Sequence, residues 1–404
     1  MTYKRKYIKR PVYLDRIRPY VDKDIIKILV GQRRVGKSFM LFQIIDEIKA
    51  IHQNPEIIYL SKELVEFEFI HDHIDLLNYI NKESKGNKKI YLFIDEIQDI
   101  IGFEKALRSL QAKGNYDIYC TGSNAKLLSG ELATFLSGRY IELKIFSLSY
   151  FEFLLFHELD KSGDSLLKYF KYGGLPYLVN LELTDPIIYD YLKNIYDAIL
   201  FKDVVKRFSV RNITFLENLV RYVADNTGSL VSSKKISDFL KSQKIKISPQ
   251  LVLDYLGYLE SAIFIFKVRR AEITGKKIFE IGEKYYFEDL GLRNCITGYK
   301  ANDINIILEN VVYHHLKISD YSINVGRMGE KEIDFVCERS GQKIYVQVAY
   351  LLKDEPTIER EFGNLLAIKD NYPKYVVSMD DALSDTDYNG IKQIHVIDFI
   401  SELR

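Results

Sequence analysis

Cysteine is nearly missing from this chain. Three residues, Cys120, Cys295 and Cys337, are spread over 404 positions without metal or redox spacing. A disulfide-stapled secreted fold is therefore excluded, and the reducing cytoplasm is the expected compartment. Histidine is as sparse. Among seven, only His71/His73 and His314/His315 lie close together, and neither pair has a third partner at ligand spacing, so no zinc is expected. No stretch reaches the ~18 uncharged apolar residues of a membrane span. The basic start Met1–Lys6 is not followed by an apolar signal core, so no leader is expected. An excess of one charge is lacking too. With 57 Lys/Arg against 56 Asp/Glu, the net charge of +1 makes the whole chain neither a polybasic nor an acidic binder. Tryptophan is absent beside 30 Tyr and 23 Phe, which points to no function. The 47% hydrophobic content supports buried cores, and the length is too great for one of them, so two to four domains are expected.

Against this background one segment stands out. Gly31, Gln32, Arg33, Arg34, Val35, Gly36, Lys37 and Ser38 fit the G-x-x-x-x-G-K-[ST] phosphate loop, and Phe39 opens the helix behind it. The apolar run Ile25–Val30 predicts a buried strand ending at Gly31, and Ser38–Ile48 predicts a helix. Strand, glycine-bounded loop and helix let backbone N–H groups curl around phosphate oxygens at a helix N-terminus. Lys37 would reach the β/γ phosphates, and the Ser38 hydroxyl would ligate Mg²⁺.

A second strand, Lys89–Ile94, ends in Asp95 and Glu96, at the strand end where open α/β sheets place ligands. Asp95 is expected to hold Mg²⁺ through water, and Glu96 is expected to polarise the attacking water. An acid pair of this kind favours an ATP hydrolase over a GTP switch or a simple kinase. The strand Tyr116–Thr121 breaks into Gly122-Ser123-Asn124, where Asn124, with Ser123 second, would sense the γ-phosphate. Arg139, in Leu136–Tyr140, would complete charge neutralisation in its own subunit or in a neighbour's.

With these segments in hand, the chain resembles prokaryotic AAA-type ATPases with a C-terminal domain of unknown function. The resemblance runs over nearly the whole length. It rests on the loop with Arg33 and Arg34, IDEIQ at Ile94–Gln98, TGSNA at Thr121–Ala125, SGRY at Ser137–Tyr140, SLSYFEF at Ser147–Phe153, YGGLP at Tyr172–Pro176 and KYYFEDLGLRN at Lys284–Asn294. It implies a three-layer α/β ATPase core, a helical lid, a winged-helix module and a restriction-nuclease-like C-terminal domain. It also implies that Pro176 packs on the nucleotide base. The segment Tyr13–Tyr20 would line the adenine pocket, with no residue there distinctive enough to single out.

Beyond the core, Ser147 to Lys206 has helical spacing. Ser232–Leu240, a helix opened by Ser248-Pro249, and apolar runs flanking Thr274-Gly275-Lys276 follow the winged-helix order. From Lys202 to Glu280 there are 15 Lys/Arg and 8 Asp/Glu, a net of +7, so the rest nets −6. Lys241, Lys244, Lys246, Lys267, Arg269, Arg270, Lys276 and Lys277 are the candidates for a DNA-facing surface. Further on, Glu309, Asp334 and the strand Lys343–Tyr350 resemble the acid, Asp, (Glu/Gln)-x-Lys order of restriction-type nucleases. Gln347 stands in the second acidic position and Ala349 in the lysine position. Cleavage chemistry needs those charges and is expected to be lost unless Lys331 or Lys343 substitutes. Arg327 reads as a nucleic-acid contact or a hairpin turn.

The expectation is an α/β protein with a P-loop parallel-sheet core at 1–146, a helical lid at 147–206, a winged helix at 207–290 and a nuclease-like domain at 291–404. It would be an ATP- and Mg²⁺-dependent switch, associated with DNA and assembling as a homo-oligomer. The rival expectations are an ATP-gated nuclease and a non-catalytic ATP-binding DNA regulator or scaffold.

Overall fold

A computed structural model describes residues 7–403, apart from 87, 126–135, 137, 243–244, 274–277, 353 and 381–385. The chain divides into two units, Met1–Ser147 with Ser261–Ile263, and Leu148–Glu260 with Phe264–Arg404. No helix among the described residues is long and apolar enough to cross a membrane.

The first unit is an α/β fold around a P-loop ATPase core. Its elements are α1 (Pro11–Ile17), β1 (Ile26–Val30), α2 (Lys37–Ile51), β2 (Glu56–Ser61), α3 (His73–Glu83), β3 (Ile90–Asp95), α4 (Phe103–Ala112), β4 (Tyr116–Gly122) and β5 (Tyr140–Lys144). The strands form one parallel sheet in the order β2-β3-β4-β1-β5. Parallel strands covered on both faces need continuous apolar runs. Accordingly every residue of β1, β3 and β4 is buried. Lys27 breaks the apolar run of β1, and its ammonium is matched by the equally buried carboxylate of Asp117 on β4. Pairing offsets the cost of burying either charge alone. Register brings Val30 beside Gly122, and Ser61 beside Asp95. The phosphate loop, the acid pair and the end of β4 thus share one edge of the sheet.

The second unit begins with α5 (Tyr150–His157), α6 (Gly163–Tyr172) and α7 (Asp185–Ala198), the last continuing as a π-helix over Ile199–Lys206. The SLSYFEF segment starts α5 with a capping box: Ser149 accepts from the Glu152 N–H while Glu152 accepts from the Ser149 N–H. Three helices follow, α8 (Ile213–Asp225), α9 (Ser233–Ser242) and α10 (Pro249–Ser261), and then the hairpin β6 (Ile265–Glu272) and β7 (Ile278–Phe287). After α11 (Leu290–Thr297) and α12 (Ile304–Ile318) come β8 (Ser322–Met328), β9 (Lys331–Arg339), β10 (Gln342–Val348), α13 (Glu355–Leu366), β11 (Lys374–Ser378), β12 (Thr386–Tyr388), β13 (Ile391–His395) and α14 (Val396–Glu402).

Three helices precede the hairpin where the expectation for 207–290 named two, and the hairpin does not stand apart. β6 pairs in parallel with β8, so both strands join a mixed eight-stranded sheet of order β12-β13-β11-β10-β9-β8-β6-β7. An isolated two-stranded hairpin is marginal in water, and joining the sheet pairs one of its free edges. The YGGLP and FEDLGLRN motifs meet here. Asp289 caps α11 by accepting from Leu292 N–H at 3.0 Å, and its other oxygen accepts from Gly174 N–H at 2.7 Å.

Candidate nucleotide site

The loop between β1 and α2 is shaped by close approach. Gly31 N–H donates to the Gly122 carbonyl at 3.3 Å. A Cβ on Gly31 would lie 2.2 Å from the Ile145 carbonyl oxygen, so only glycine lets the loop leave the sheet here. Gly36 has φ of 95° and caps α2. Arg34 is also left-handed, at φ 72°, a conformation that costs a non-glycine residue and is retained at functional sites. The Lys37 side chain is almost fully buried, and its ammonium donates to the carbonyls of Gly31 (3.0 Å) and Gln32 (2.9 Å). It stands 3.9 Å from Glu96. The Gln32 side chain is fully buried, and neither its amide nitrogen nor its oxygen has a partner among the described residues. Val35 is buried, Phe39 is partly exposed edge-on to Phe42, and Arg33 lies 3.9 Å from Glu63.

Asp95 and Glu96 close the other side. The Thr121 hydroxyl donates to Asp95 at 2.5 Å and accepts from Glu96 N–H at 2.9 Å, so one β4 side chain fixes both acids. Ser61 donates to the second Asp95 oxygen at 3.2 Å. Burial pushes the Asp95 carboxyl up, opposed by hydrogen bonds from Thr121 and Ser38 and by the charge of Lys37. That hydrogen bond joins the loop serine directly to the strand-end acid. Glu96 sits at φ 54° and is nearly buried. Burial pushes it up as well, but the Lys37 charge, the Gln98 amide, Arg33 and Ser123 outweigh this and hold it below the usual carboxylate range. Gln98 donates both to Glu96 and, at 3.4 Å, to Ser123.

The arrangement fits a magnesium nucleotide. A hydroxyl and a carboxylate sit together as hard oxygen donors, an ammonium rests on loop carbonyls, and a helix N-terminus faces the same edge. Ser123 is tied into the acid network, and Asn124 follows it just beyond β4. Arg139 lies elsewhere. Its carbonyl accepts from Ile26 N–H at 2.9 Å, at the start of β1. About 13 Å of strand separates that backbone position from the loop. Pro176 belongs to the second unit, where it opens a 3-10 turn.

Sequence reasoning missed Gln98, Thr121 and Ser61, although polar side chains ending or following apolar strands were the available signal. It also missed Arg10. This guanidinium is buried and donates to the carbonyls of Val35 (3.1 Å), Phe146 (2.9 Å) and Ser147 (3.4 Å), tying the segment before α1 to the loop. No local pattern marks such a residue.

The other predicted residues are partly engaged. Of the basic set, Lys267 faces Glu260 and Glu283 at 3.8 and 3.6 Å, Arg270 faces Glu332 at 3.7 Å, and Lys241 faces Asp238 at 3.4 Å. Lys246 and Arg269 are exposed, while Lys244, Lys276 and Lys277 lie outside the described residues. Glu309 and Asp334 do meet, around Lys284. Lys331 instead donates to the Gly363 carbonyl and Lys343 pairs with Glu338, so neither substitutes at Ala349. Arg327 donates to the Gly329 carbonyl at 2.8 Å, within its own hairpin turn.

Comparison with known proteins agrees with this geometry. Residues 23–154 match the family described as AAA domain, and residues 163–303 match one described as Domain of unknown function (DUF8612). The chain is 38% identical to an uncharacterized protein of Haemophilus influenzae, covering 97% of this chain and 98% of that protein. It is 33% identical to the uncharacterized protein MJ1544 of Methanocaldococcus jannaschii, covering 83% of this chain and 77% of that one. The solved structure of Aeropyrum pernix ORC1 in complex with DNA aligns with 72% of this chain and 93% of that chain, at 11% identity and a TM-score of 0.36, a likeness too slight to build on.

Proposed function

Because this chain belongs, with these Haemophilus and Methanocaldococcus proteins, to one family of AAA-domain proteins, we propose that it is an Mg²⁺-dependent ATP hydrolase acting as a molecular switch. The observation that carries this reading is the convergence of Lys37, Ser38, Asp95 and Glu96 on one edge of the parallel sheet. The bound nucleotide and its ion would supply an electrophilic γ-phosphorus with its charge partly neutralised. The loop amides cradle phosphate oxygens, and Lys37 leaves the loop carbonyls to pair with phosphate charge. Ser38 and Asp95 hold the ion. Glu96, kept ionised by Lys37 and Gln98, orients and takes a proton from the attacking water, and Ser123 with Asn124 reads the γ-phosphate end.

Arg139, at the far edge of the sheet, serves a neighbouring subunit's site, which makes a homo-oligomer the active form. Pro176 packs against the base, and nucleotide state repositions the helical segment 147–206. The winged-helix order of 207–290 gives a DNA contact, with exposed Lys246 and Arg269 among its basic side chains. The segment 291–404 has a nuclease-like arrangement without cleavage.

The test is calorimetry with ATP and Mg²⁺ on the full chain, beside steady-state hydrolysis. Binding that Lys37→Ala abolishes, with turnover in the parent, is expected. A parent that binds no purine triphosphate at millimolar concentration refutes the proposal.

A further inference from the structure

Lys284 on β7 lies in the second unit. Its side chain is almost fully buried. The ammonium donates to Glu309 of α12 at 2.9 Å and to Asp334 of β9 at 3.0 Å, and forms an ion pair with Glu332 of β9 at 3.2 Å. The acids are themselves held in place. The Tyr286 hydroxyl donates to Glu309 at 2.6 Å, and Val348 N–H donates to the second Asp334 oxygen at 3.0 Å. Gln347 accepts from Asp334 N–H at 3.3 Å, and Arg270 stands 3.7 Å from Glu332. The backbone of Gly228 presses on Glu309 from another side, leaving only 3.1 Å between an added Cβ and the carboxyl group.

We propose that the Lys284 ammonium is a resident cation, filling the position where Glu309, Asp334 and Glu332 would otherwise gather a divalent metal. The inference stands on these contacts and is independent of the ATPase reading. Three carboxylates from a helix and a strand converge on one ammonium, at distances set by that group, and carboxylate oxygens are the donors that hard cations take. The ammonium satisfies that convergence permanently because it is covalently part of the sheet. Two of its three N–H donors are committed to Glu309 and Asp334, and its charge is shared with Glu332 as well. Lys284 is therefore a plug, and the cluster holds α12 against the sheet without metal chemistry. Removing the ammonium leaves three acids facing one another in a buried space. They must then protonate, separate or recruit a cation.

Mn²⁺ alone, without nucleotide, is the probe. Free Mn²⁺ is counted by electron paramagnetic resonance on the full chain, its Lys284→Ala and Lys284→Met variants, and Asp334→Asn. The parent should show no Mn²⁺ binding that Asp334→Asn removes. Lys284→Ala, which opens both charge and space, should gain one Mn²⁺ site at least tenfold tighter than any in the parent, with a melting temperature that rises on Mn²⁺ addition. Lys284→Met, which keeps the space filled, should lose stability and gain no site. Mn²⁺ bound at Ser38 and Asp95 would be unaffected by Asp334→Asn, so the two sites are told apart. Parent binding of Mn²⁺, or plasmid cleavage with Mn²⁺, that Asp334→Asn abolishes overturns the proposal. So does a folded Lys284→Ala with no added site. If Lys284→Ala does not fold, the comparison of parent with Asp334→Asn still decides.

Discussion

Replacing Glu96 by Gln separates nucleotide binding from turnover. The carboxylate lies 3.9 Å from the Lys37 ammonium and is held by Gln98 and by its own N–H on Thr121. Gln is isosteric, so the left-handed backbone and the Thr121 bond survive. Two things change. The proton acceptor for the attacking water is gone, which for a positioned general base is worth about 10²–10⁴ in rate, or about 2.7–5.4 kcal/mol of barrier. Lys37 also loses its counter-charge and is freer to pair with phosphate. Affinity should therefore stay level or tighten by up to about tenfold, ~1.4 kcal/mol. Single-turnover hydrolysis under saturating Mg-ATP measures the first effect, and fluorescent-nucleotide titration the second. The variant should trap ATP. Hydrolysis within threefold of the parent would remove Glu96 from the mechanism, and a hundredfold loss of affinity would mean that it serves binding instead.

Gly31→Ala forces a methyl group to 2.2 Å from the Ile145 carbonyl oxygen. Overpacking of this kind costs about 1–3 kcal/mol or more; thermal unfolding should fall and ATP binding disappear, and an unchanged melting temperature would contradict the packing argument. Arg10→Met strands the Val35, Phe146 and Ser147 carbonyls. Each unmet buried acceptor costs about 1–3 kcal/mol, so the urea midpoint should drop along with nucleotide affinity, and a midpoint equal to the parent's would show the guanidinium to be dispensable. Asp289 is pushed up to about 7 by burial and by neighbouring Glu288. Its folded form then binds a proton that the unfolded chain releases at lower pH, so this group adds stability as pH falls from about 7 toward 4, by about 1.4 kcal/mol per pH unit. The stability difference between parent and Asp289→Asn should grow between pH 7.5 and 5; a difference flat in pH would sink that reading.

What could be read from the chain alone follows the range of the interactions. The phosphate loop and the acid pair were legible because glycine spacing, a lysine and strand-end carboxylates are contiguous in sequence. The left-handed backbones of Arg34 and Glu96 were not, since neither residue type announces them. At the end of β4, Asn124 was favoured with Ser123 second, and Ser123 is joined to Gln98 and Glu96. Arg139 was identified as a residue but not by position, because only the parallel register of β5 on β1 reveals which edge it occupies. In the second unit, Glu309 and Asp334 meet around Lys284, a residue that the chain alone did not single out. Lys284 lies 25 and 50 positions before them in sequence, a distance that no motif spacing bridges.

The hairpin of β6 and β7 has a mechanical consequence. β6 is laced to β7 on one side and, along Arg270–Glu272, to β8 on the other. It is a cantilever rooted in the sheet rather than a flap on a hinge. The strand that begins at Ile278 also carries Lys284, and β8 pairs on its far side with β9, where Glu332 and Asp334 ride. The hairpin and the buried charges thus belong to one continuous ribbon of paired backbone.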